Sequence, residues 1–174
     1  MQNLVQMACA ACLVVATAAT AQTPASQPSA GRTHDKVPYD IPYGTAIGLD
    51  TAKRLLAIAE AEAKKHDWKM TIAVVDTHGE LIAFERMDDS QYASIAISQN
   101  KARTSARFRR ETRVFYNQFE SGHTAVSTLD EGLVAAPGGF PLVEGGKVVG
   151  AIGCSGGSGE QDASVCKAAA DTIK

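Results

Sequence analysis

The sequence predicts an α+β domain built around one antiparallel sheet that is flanked by helices. Two segments have the pattern of a β-hairpin, in which two apolar runs lie on either side of a short turn that contains glycine. Three longer segments have the pattern of helices, and they alternate with the hairpins along the chain. Because tight turns join the strands and no β-α-β crossover is evident, we expect antiparallel pairing.

The first helix is predicted from about Leu49 to His66. Ala52, Leu56, Ala59 and Ala63 follow one another at the spacing that places them on one face of a helix. Charged residues occupy the other faces. The many alanines on the apolar face predict that this helix packs close to its neighbour.

The first hairpin follows. Met70–Asp76 is rich in β-branched residues, which favour a strand. Thr77–Gly79 forms the turn, and Glu80–Arg86 returns as the second strand.

Two helices are predicted between the hairpins. Tyr92 to Phe108 contains no glycine or proline, and its many small residues predict close packing on the sheet or on another subunit. Glu111 to Phe119 is a shorter helix, which the Ser121-Gly122 step ends.

The second hairpin and the last helix complete the domain. Phe140–Glu144 and Lys147–Cys154 are strand-like runs joined by the glycine pair Gly145-Gly146. The glycine-rich segment Ser155–Gly159 then leads into a helix from about Glu160 to Ile173, with acidic residues in its first turn as the helix dipole prefers.

The N-terminal segment has the pattern of export. Residues 1–21 read as a signal peptide, because the apolar run Leu4–Ala16 is shorter than the roughly 20 residues of a membrane span and leads into Ala19-Thr20-Ala21, an A-x-A cleavage site. Residues 22–43 read as a flexible leader, and residues 44–174 as one domain. We therefore expect a periplasmic or secreted protein that does not stay in the membrane after cleavage.

The charge of the chain bears on whether nucleic acid is a partner. A formal net charge of −2 gives no electrostatic reason to expect nucleic acid.

Cys154 and Cys166 are the two cysteines that remain after cleavage, on the last strand and on the helix that follows it. An exported protein allows a disulfide between them, and free thiols are the alternative.

Three segments together resemble one family, the GlcG/HbpS-like or haem-degrading domain family, which includes the C-terminal domain of PduO-type cobalamin adenosyltransferases. The segments lie within residues 73–88, 93–102 and 138–162. The resemblance implies a five-stranded antiparallel sheet of a PAS- or profilin-like kind, in which Ala125–Ala136 would supply the fifth strand. It also implies a homo-oligomer, dimer-based or octameric, and haem as the cofactor of some members.

A haem site needs an axial ligand, an apolar slot and cations near the propionates. His123 is our first candidate for the iron ligand, because it follows Ser121-Gly122 and precedes an apolar run, so that it can project from a loop over an apolar surface. The basic run that ends at Arg113 could meet the propionates or another anion; a solvated charged face is the alternative.

A second set of candidate residues is polar. Lys101 matches a position where the family carries a lysine, and it could pair with Asp76 or Asp88 or meet an anionic ligand; a surface lysine is the alternative. Arg86 and Asp88 form a possible polar cluster at the end of the first hairpin.

Two pairs of glycines are the last candidates. Gly138 and Gly139 precede the second hairpin, and Gly156 and Gly157 follow it. They permit close approach of the backbone by a flat ligand, an anion or a neighbouring subunit. Tight connections within the domain are the alternative use.

The leading hypothesis is an exported haem-binding protein that acts in haem storage, protection or sensing. The first alternative is an enzyme, or an accessory to one, that handles a small anionic metabolite such as a hydroxy acid with Lys101, Arg86 and the carboxylates. The second alternative is an oligomeric scaffold without a ligand. The sequence does not decide whether the protein is an enzyme.

Overall fold

The computed structural model describes residues 39–174, which contain the predicted order of helices and hairpins. The elements in chain order are α1 (Leu49–Lys65), β1 (Thr71–Val75), β2 (Leu81–Arg86), α2 (Ala93–Phe108), α3 (Arg113–Glu120), a 3₁₀ helix (Thr124–Thr128), β3 (Gly139–Glu144), β4 (Lys147–Ser155) and α4 (Gly159–Ala170). The α+β class is therefore confirmed.

The sheet is antiparallel and has the strand order β2-β1-β4-β3. Each hairpin pairs its own two strands, and β1 and β4 join the hairpins at the centre. Within residues 39–174 the sheet has four strands, so the expected fifth strand is not found.

The segment expected to supply the fifth strand, Ala125–Ala136, begins inside the 3₁₀ helix and continues in turns. Its polar side chains bond to the nearby backbone: Thr128 Oγ1 donates to the carbonyl of Ala125, and the amide of Gly132 donates to Asp130 Oδ1. Such local bonds offer the backbone an alternative to strand pairing. The expectation of a strand here was wrong for that reason.

Helices cover both faces of the sheet. Side chains alternate along β1, so Ile72 and Val74 face a core shared with α1 and α4, whereas Ala73 and Val75 face α2. The alanine-rich face of α1 is buried as its spacing predicted. The sheet is thus the middle layer between α1 with α4 and α2.

The axis of α2 lies unusually close to the sheet, and glycine makes this approach possible. A Cβ atom added to Gly153 in β4 would meet the carbonyl oxygen of Ser98 and would lie 2.5 Å from the amide nitrogen of Ala102. A Cβ on Gly139 in β3 would lie 2.5 Å from the carbonyl oxygen of Lys101. The small residues of α2 and these glycines therefore fit together as one interface.

Residues 39–44, the described end of the predicted leader, lie against the domain. Tyr43 forms a parallel bridge with Val148 of β4, and its hydroxyl donates to the carbonyl of Ala106 at 3.1 Å. Arg109 donates to the carbonyl of Ile41 at 3.0 Å. The predicted signal peptide and the remainder of the leader fall outside the described residues.

Among the helices of residues 39–174, none has the length and apolarity of a membrane span.

Two carboxyl groups, Glu60 on α1 and Glu85 on β2, interact where these elements face each other. Burial raises the pKa of Glu85, and the negative charge of Glu60 raises it further. Because this pKa is higher in the folded than in the unfolded chain, the folded state holds the proton more tightly. Stability is therefore lost as pH rises from the ordinary glutamate pKa of about 4.3 towards the raised value.

We expect Glu85→Gln to stabilise the protein modestly at pH 7, because glutamine keeps the hydrogen-bonding capacity without the charge. The advantage over the wild type should shrink as the pH falls below about 4. Urea unfolding at several pH values measures this, with the exposed Glu144→Gln as a control for loss of one negative charge. Equal stability of Glu85→Gln and the wild type across the whole pH range would contradict the assignment.

Candidate functional site

A pocket of about 440 Å³ lies beside the C-terminal end of α3. Its lining combines an imidazole, an aromatic ring, one aliphatic side chain and polar groups: His123, Tyr39, Val114, Asn117, Gln118 and Ser121. The volume falls within the range of about 300–1,000 Å³ that small-molecule pockets occupy. The candidate ligand His123 therefore lies in a pocket that can hold a small molecule.

The end of α3 fixes the backbone of His123. Gly122 adopts φ +90°, and its amide donates to the carbonyl of Phe119 at 3.0 Å. The amide of His123 donates to the carbonyl of Gln118 at 2.9 Å. These two bonds form a Schellman motif, which ends a helix with a glycine in the left-handed conformation. The Ser121-Gly122 step thus ends the helix and also places the histidine.

The imidazole of His123 has a local hydrogen-bond partner. Ser121 Oγ lies 3.0 Å from His123 Nδ1 and donates to the carbonyl of Gln118 at 2.9 Å. The same oxygen can accept from a protonated Nδ1, and in that tautomer the lone pair is on Nε2. A partner on one ring nitrogen is the usual way in which proteins orient a histidine for metal binding through the other.

Two arginines at the end of α2 border the same region. The guanidinium of Arg110 lies 3.8 Å from the centre of the Tyr39 ring, and burial lowers the pKa of Arg110. Arg109 reaches the neighbouring carbonyl of Ile41. Neither arginine forms an ion pair with a carboxylate among residues 39–174, whereas Arg113 pairs with Glu160 at 2.6 Å. The basic run predicted from the sequence thus separates into paired and unpaired members.

Lys101 is the centre of a different, fully buried polar cluster. Its Nζ donates to Asp162 Oδ2 at 2.7 Å and to the carbonyl of Cys154 at 3.1 Å, and both charged side chains are at most 4% exposed. The other carboxylate oxygen of Asp162 accepts from the amide of Gly157 at 2.9 Å. The expected pairing of Lys101 with an aspartate is found, but the partner is neither Asp76 nor Asp88.

Burial acts on both members of this pair. It lowers the pKa of Lys101 and raises the pKa of Asp162, while the contact between the two side chains opposes each shift. Removal of either partner would leave the other charge buried without compensation. The pair therefore joins α2 to α4 and to β4, and the side chain of Lys101 does not reach the surface.

The four candidate glycines surround this buried pair. A Cβ on Gly138 would lie 2.9 Å from Lys101 Nζ, and one on Gly139 would enter α2. Gly156 packs on the backbone of Lys69, and the amide of Gly157 is bonded to Asp162 instead of being free for an anion. In the structure all four serve close packing within the domain, which was the alternative use.

The remaining polar candidates lie apart. Asp76 holds the turn of the first hairpin, because its Oδ1 accepts from the amides of His78 and Glu80. The guanidinium of Arg86 lies 4.8 Å from the centre of the Tyr92 ring, and Asp88 is exposed. Arg86 and Asp88 form no ion pair in the described part of the chain. Lys101, Arg86 and these carboxylates therefore do not form a common site for an anionic metabolite.

Cys154 and Cys166 form a disulfide with the two sulfur atoms 2.06 Å apart. Both residues are fully buried, and the bond joins β4 to α4 next to the carbonyl that Lys101 contacts. The sequence alone allowed either a disulfide or free thiols here, and it assigned no site role to Asp162, Ser121 or Tyr39. Only Asp162 had a usable signal, as a carboxylate in the first turn of a helix that follows a glycine-rich loop.

No three histidine, cysteine, aspartate or glutamate side chains converge on a possible metal position within residues 39–174. A haem iron differs from a free ion in this respect, because the porphyrin supplies four nitrogens and the protein needs to supply only one or two ligands.

Three known proteins are similar to this chain in sequence or in fold. GlcG of Escherichia coli (strain K12) is 44% identical over 109 residues, which are 63% of this chain and 81% of GlcG. A solved double mutant of Streptomyces reticuli HbpS shares the fold, with a TM-score of 0.70 at 24% identity over 87% of this chain and 99% of that one. A solved PduOC–haem complex has a TM-score of 0.69 at 26% identity, over 75% of this chain and 96% of that one.

The match to a known family covers α1 to α4 and both hairpins. The family described as haem degrading protein HbpS-like matches residues 47–171, which include His123 and the buried Lys101 pair. The chain belongs to the HbpS-like family.

Proposed function

We propose that the protein is an exported haem-binding protein in which His123 is the iron ligand. The observation that carries the proposal is the contact between Ser121 Oγ and His123 Nδ1 in the pocket, because a neutral imidazole that donates from Nδ1 presents its Nε2 lone pair for a metal. Similarity to a solved haem complex and membership of the HbpS-like family support haem as the ligand. We assign the protein to haem storage, protection or sensing.

The residues of the pocket fit a haem in three respects. His123 would supply a nitrogen ligand to the iron, and the Val114 side chain would supply apolar contact. Arg110, beside Tyr39, carries a positive charge that no carboxylate in the described part of the chain neutralises, and it can attract the propionates. A bound haem would supply the redox and oxygen chemistry of its iron, while these side chains bind and orient it.

Titration of the purified protein with hemin tests the proposal. We expect a saturable shift of the Soret band at about one haem per subunit, because the proposal assigns one iron ligand, His123, to each chain. The control is hemin in the same buffer without protein, which gives the spectrum of the unbound ligand. A spectrum that never departs from that of free hemin would contradict the proposed function.

The exported location is supported by the disulfide and by the N-terminal sequence pattern. Structural disulfides persist in oxidising compartments such as the periplasm and the extracellular space. We expect that the native protein, unfolded without a reductant, does not react with a thiol-labelling reagent. Cys154 and Cys166 are already bonded to each other and so present no free thiol. Ready labelling of both cysteines in protein recovered from its own compartment would argue for a reducing location.

The disulfide should also stabilise the fold. We expect simultaneous Cys154→Ala and Cys166→Ala to lower the free energy of unfolding by about 2–3 kcal/mol, because the bond closes a short loop in the unfolded chain. Urea unfolding of the double variant and of the oxidised wild type measures this. Equal midpoints would show that the bond adds nothing to stability.

A further inference from the structure

We infer that Tyr39 is a ligand-contact residue whose ring forms a wall of the His123 pocket. The inference rests on the proposed function and deepens it, since it names the part of the chain that determines how a flat macrocyclic ligand is held. Tyr39 precedes the region that the HbpS-like family matches, residues 47–171.

The ring of Tyr39 is held in position from one side. The guanidinium of Arg110 lies 3.8 Å from the ring centre, within the distance of a cation–π contact. Arg110 is itself fixed, because its Nε donates to the carbonyl of Phe108 at 3.0 Å and its guanidinium lies 5.3 Å from the centre of the Phe115 ring. One side of the Tyr39 ring thus contacts Arg110, and the residue also lines the pocket.

The backbone after Tyr39 is anchored as well. Arg109 bonds to the carbonyl of Ile41, the amide of Val148 donates to the carbonyl of Pro42 at 2.8 Å, and the hydroxyl of Tyr43 bonds to the end of α2. Tyr39 adopts φ +65°, a left-handed conformation that is uncommon for residues other than glycine. These anchors hold the segment against the domain with the Tyr39 side chain beside His123.

A preformed aromatic wall favours a flat aromatic ligand over a small polar one. Ring contacts with such a ligand contribute about 0.5–1.5 kcal/mol beyond the area that they bury, and an ordered ring loses little side-chain entropy on binding. The wall and the imidazole have separable roles: His123 recognises the iron, whereas Tyr39 recognises the macrocycle.

Binding of hemin and of metal-free protoporphyrin IX separates the two roles. Quenching of Trp68, the only tryptophan in the sequence, reports binding of both ligands. The variants are Tyr39→Ala, Tyr39→Phe and His123→Ala. The matched control is Tyr116→Ala, because Tyr116 lies on α3 outside the pocket lining and is 38% exposed, against 37% for Tyr39.

We expect Tyr39→Ala to weaken both ligands about tenfold, while Tyr39→Phe and Tyr116→Ala bind like the wild type. His123→Ala should weaken hemin and leave protoporphyrin IX unchanged. If hemin binds but Tyr39→Ala binds both ligands as the wild type does, the inference is overturned and the proposed function survives. If Tyr39→Phe is as weak as Tyr39→Ala, the hydroxyl acts and the ring-contact role is wrong. If the wild type binds neither ligand, the proposed function fails together with the inference.

Discussion

Replacement of Lys101 by methionine should lower the free energy of unfolding by about 3–5 kcal/mol. Lys101 and Asp162 are each almost fully buried, and among residues 39–174 the ammonium is the only cation bonded to that carboxylate. Methionine fills the space of the lysine stem but leaves Asp162 charged, or forces it to take up a proton, in an apolar environment. The amide of Gly157 is then the main compensation that remains.

The chain contains a matched control for this prediction. Lys167 on α4 and Asp171, directly after the helix, also lie 2.7 Å apart, but their side chains are 57% and 63% exposed. Lys167→Met should therefore change stability by less than about 0.5 kcal/mol, as is usual for an exposed i,i+4 pair. Urea unfolding, followed by Trp68 fluorescence, measures both variants. Similar losses for the two lysines would contradict the structural role assigned to the buried pair.

The second large effect is expected from Gly153→Ala. The added methyl group would meet the backbone of α2 at Ser98 and Ala102, and backbone atoms cannot move aside as a flexible side chain can. The helix must then move away from β4 along much of its length, which breaks the packing of its small residues. We expect a loss of at least about 3 kcal/mol in the free energy of unfolding.

Gly132→Ala is the control for this substitution. A Cβ at Gly132 would find its nearest neighbours at 3.5 Å, which is an ordinary van der Waals contact. The change should alter stability by less than about 0.5 kcal/mol, as is usual for surface substitutions. Thermal unfolding of both variants compares them directly. A Gly153→Ala protein as stable as Gly132→Ala would show that α2 and the sheet are not in tight contact.

The helices and hairpins could be predicted because their signals are local. The alanine face of α1 indicates a helix, and the glycine pair Gly145-Gly146 indicates a hairpin turn. Each pattern lies within one short stretch of sequence. The fifth strand was expected only by resemblance, and the residues of that segment favour local turns through side chains such as Asp130. Hydrogen bonds from these side chains to the nearby backbone therefore favour turns over a strand in this segment.

The partner of Lys101 could not be derived in the same way. Asp162 lies 61 residues further along the chain, and the two meet only because α2 and α4 both pack beside β4. Nearer carboxylates such as Asp76 were equally plausible from charge alone. Asp76 is instead used by its own turn, where its side chain bonds to two amides of the hairpin. The pairing of Lys101 with Asp162 therefore depends on tertiary packing, which the spacing of residues along the chain does not indicate.

The candidate site was predicted in part. The loop after α3 could be identified as the place of His123, because the Ser121-Gly122 step is a local helix-ending signal. The tautomer depends on the direction of a hydroxyl proton, and the wall depends on a tyrosine 84 residues earlier in the chain. Neither can be read from the sequence around the histidine.

The most direct test of the account is the hemin spectrum of His123→Ala beside that of His78→Ala. His78 is the matched control, since it lies in a hairpin turn with its side chain 84% exposed and lines no part of the His123 pocket. We predict that His123→Ala loses the histidine-ligated Soret band, that added imidazole restores it, and that His78→Ala keeps the wild-type spectrum. A His123→Ala protein with an unchanged hemin spectrum would contradict the central claim that this histidine binds the iron.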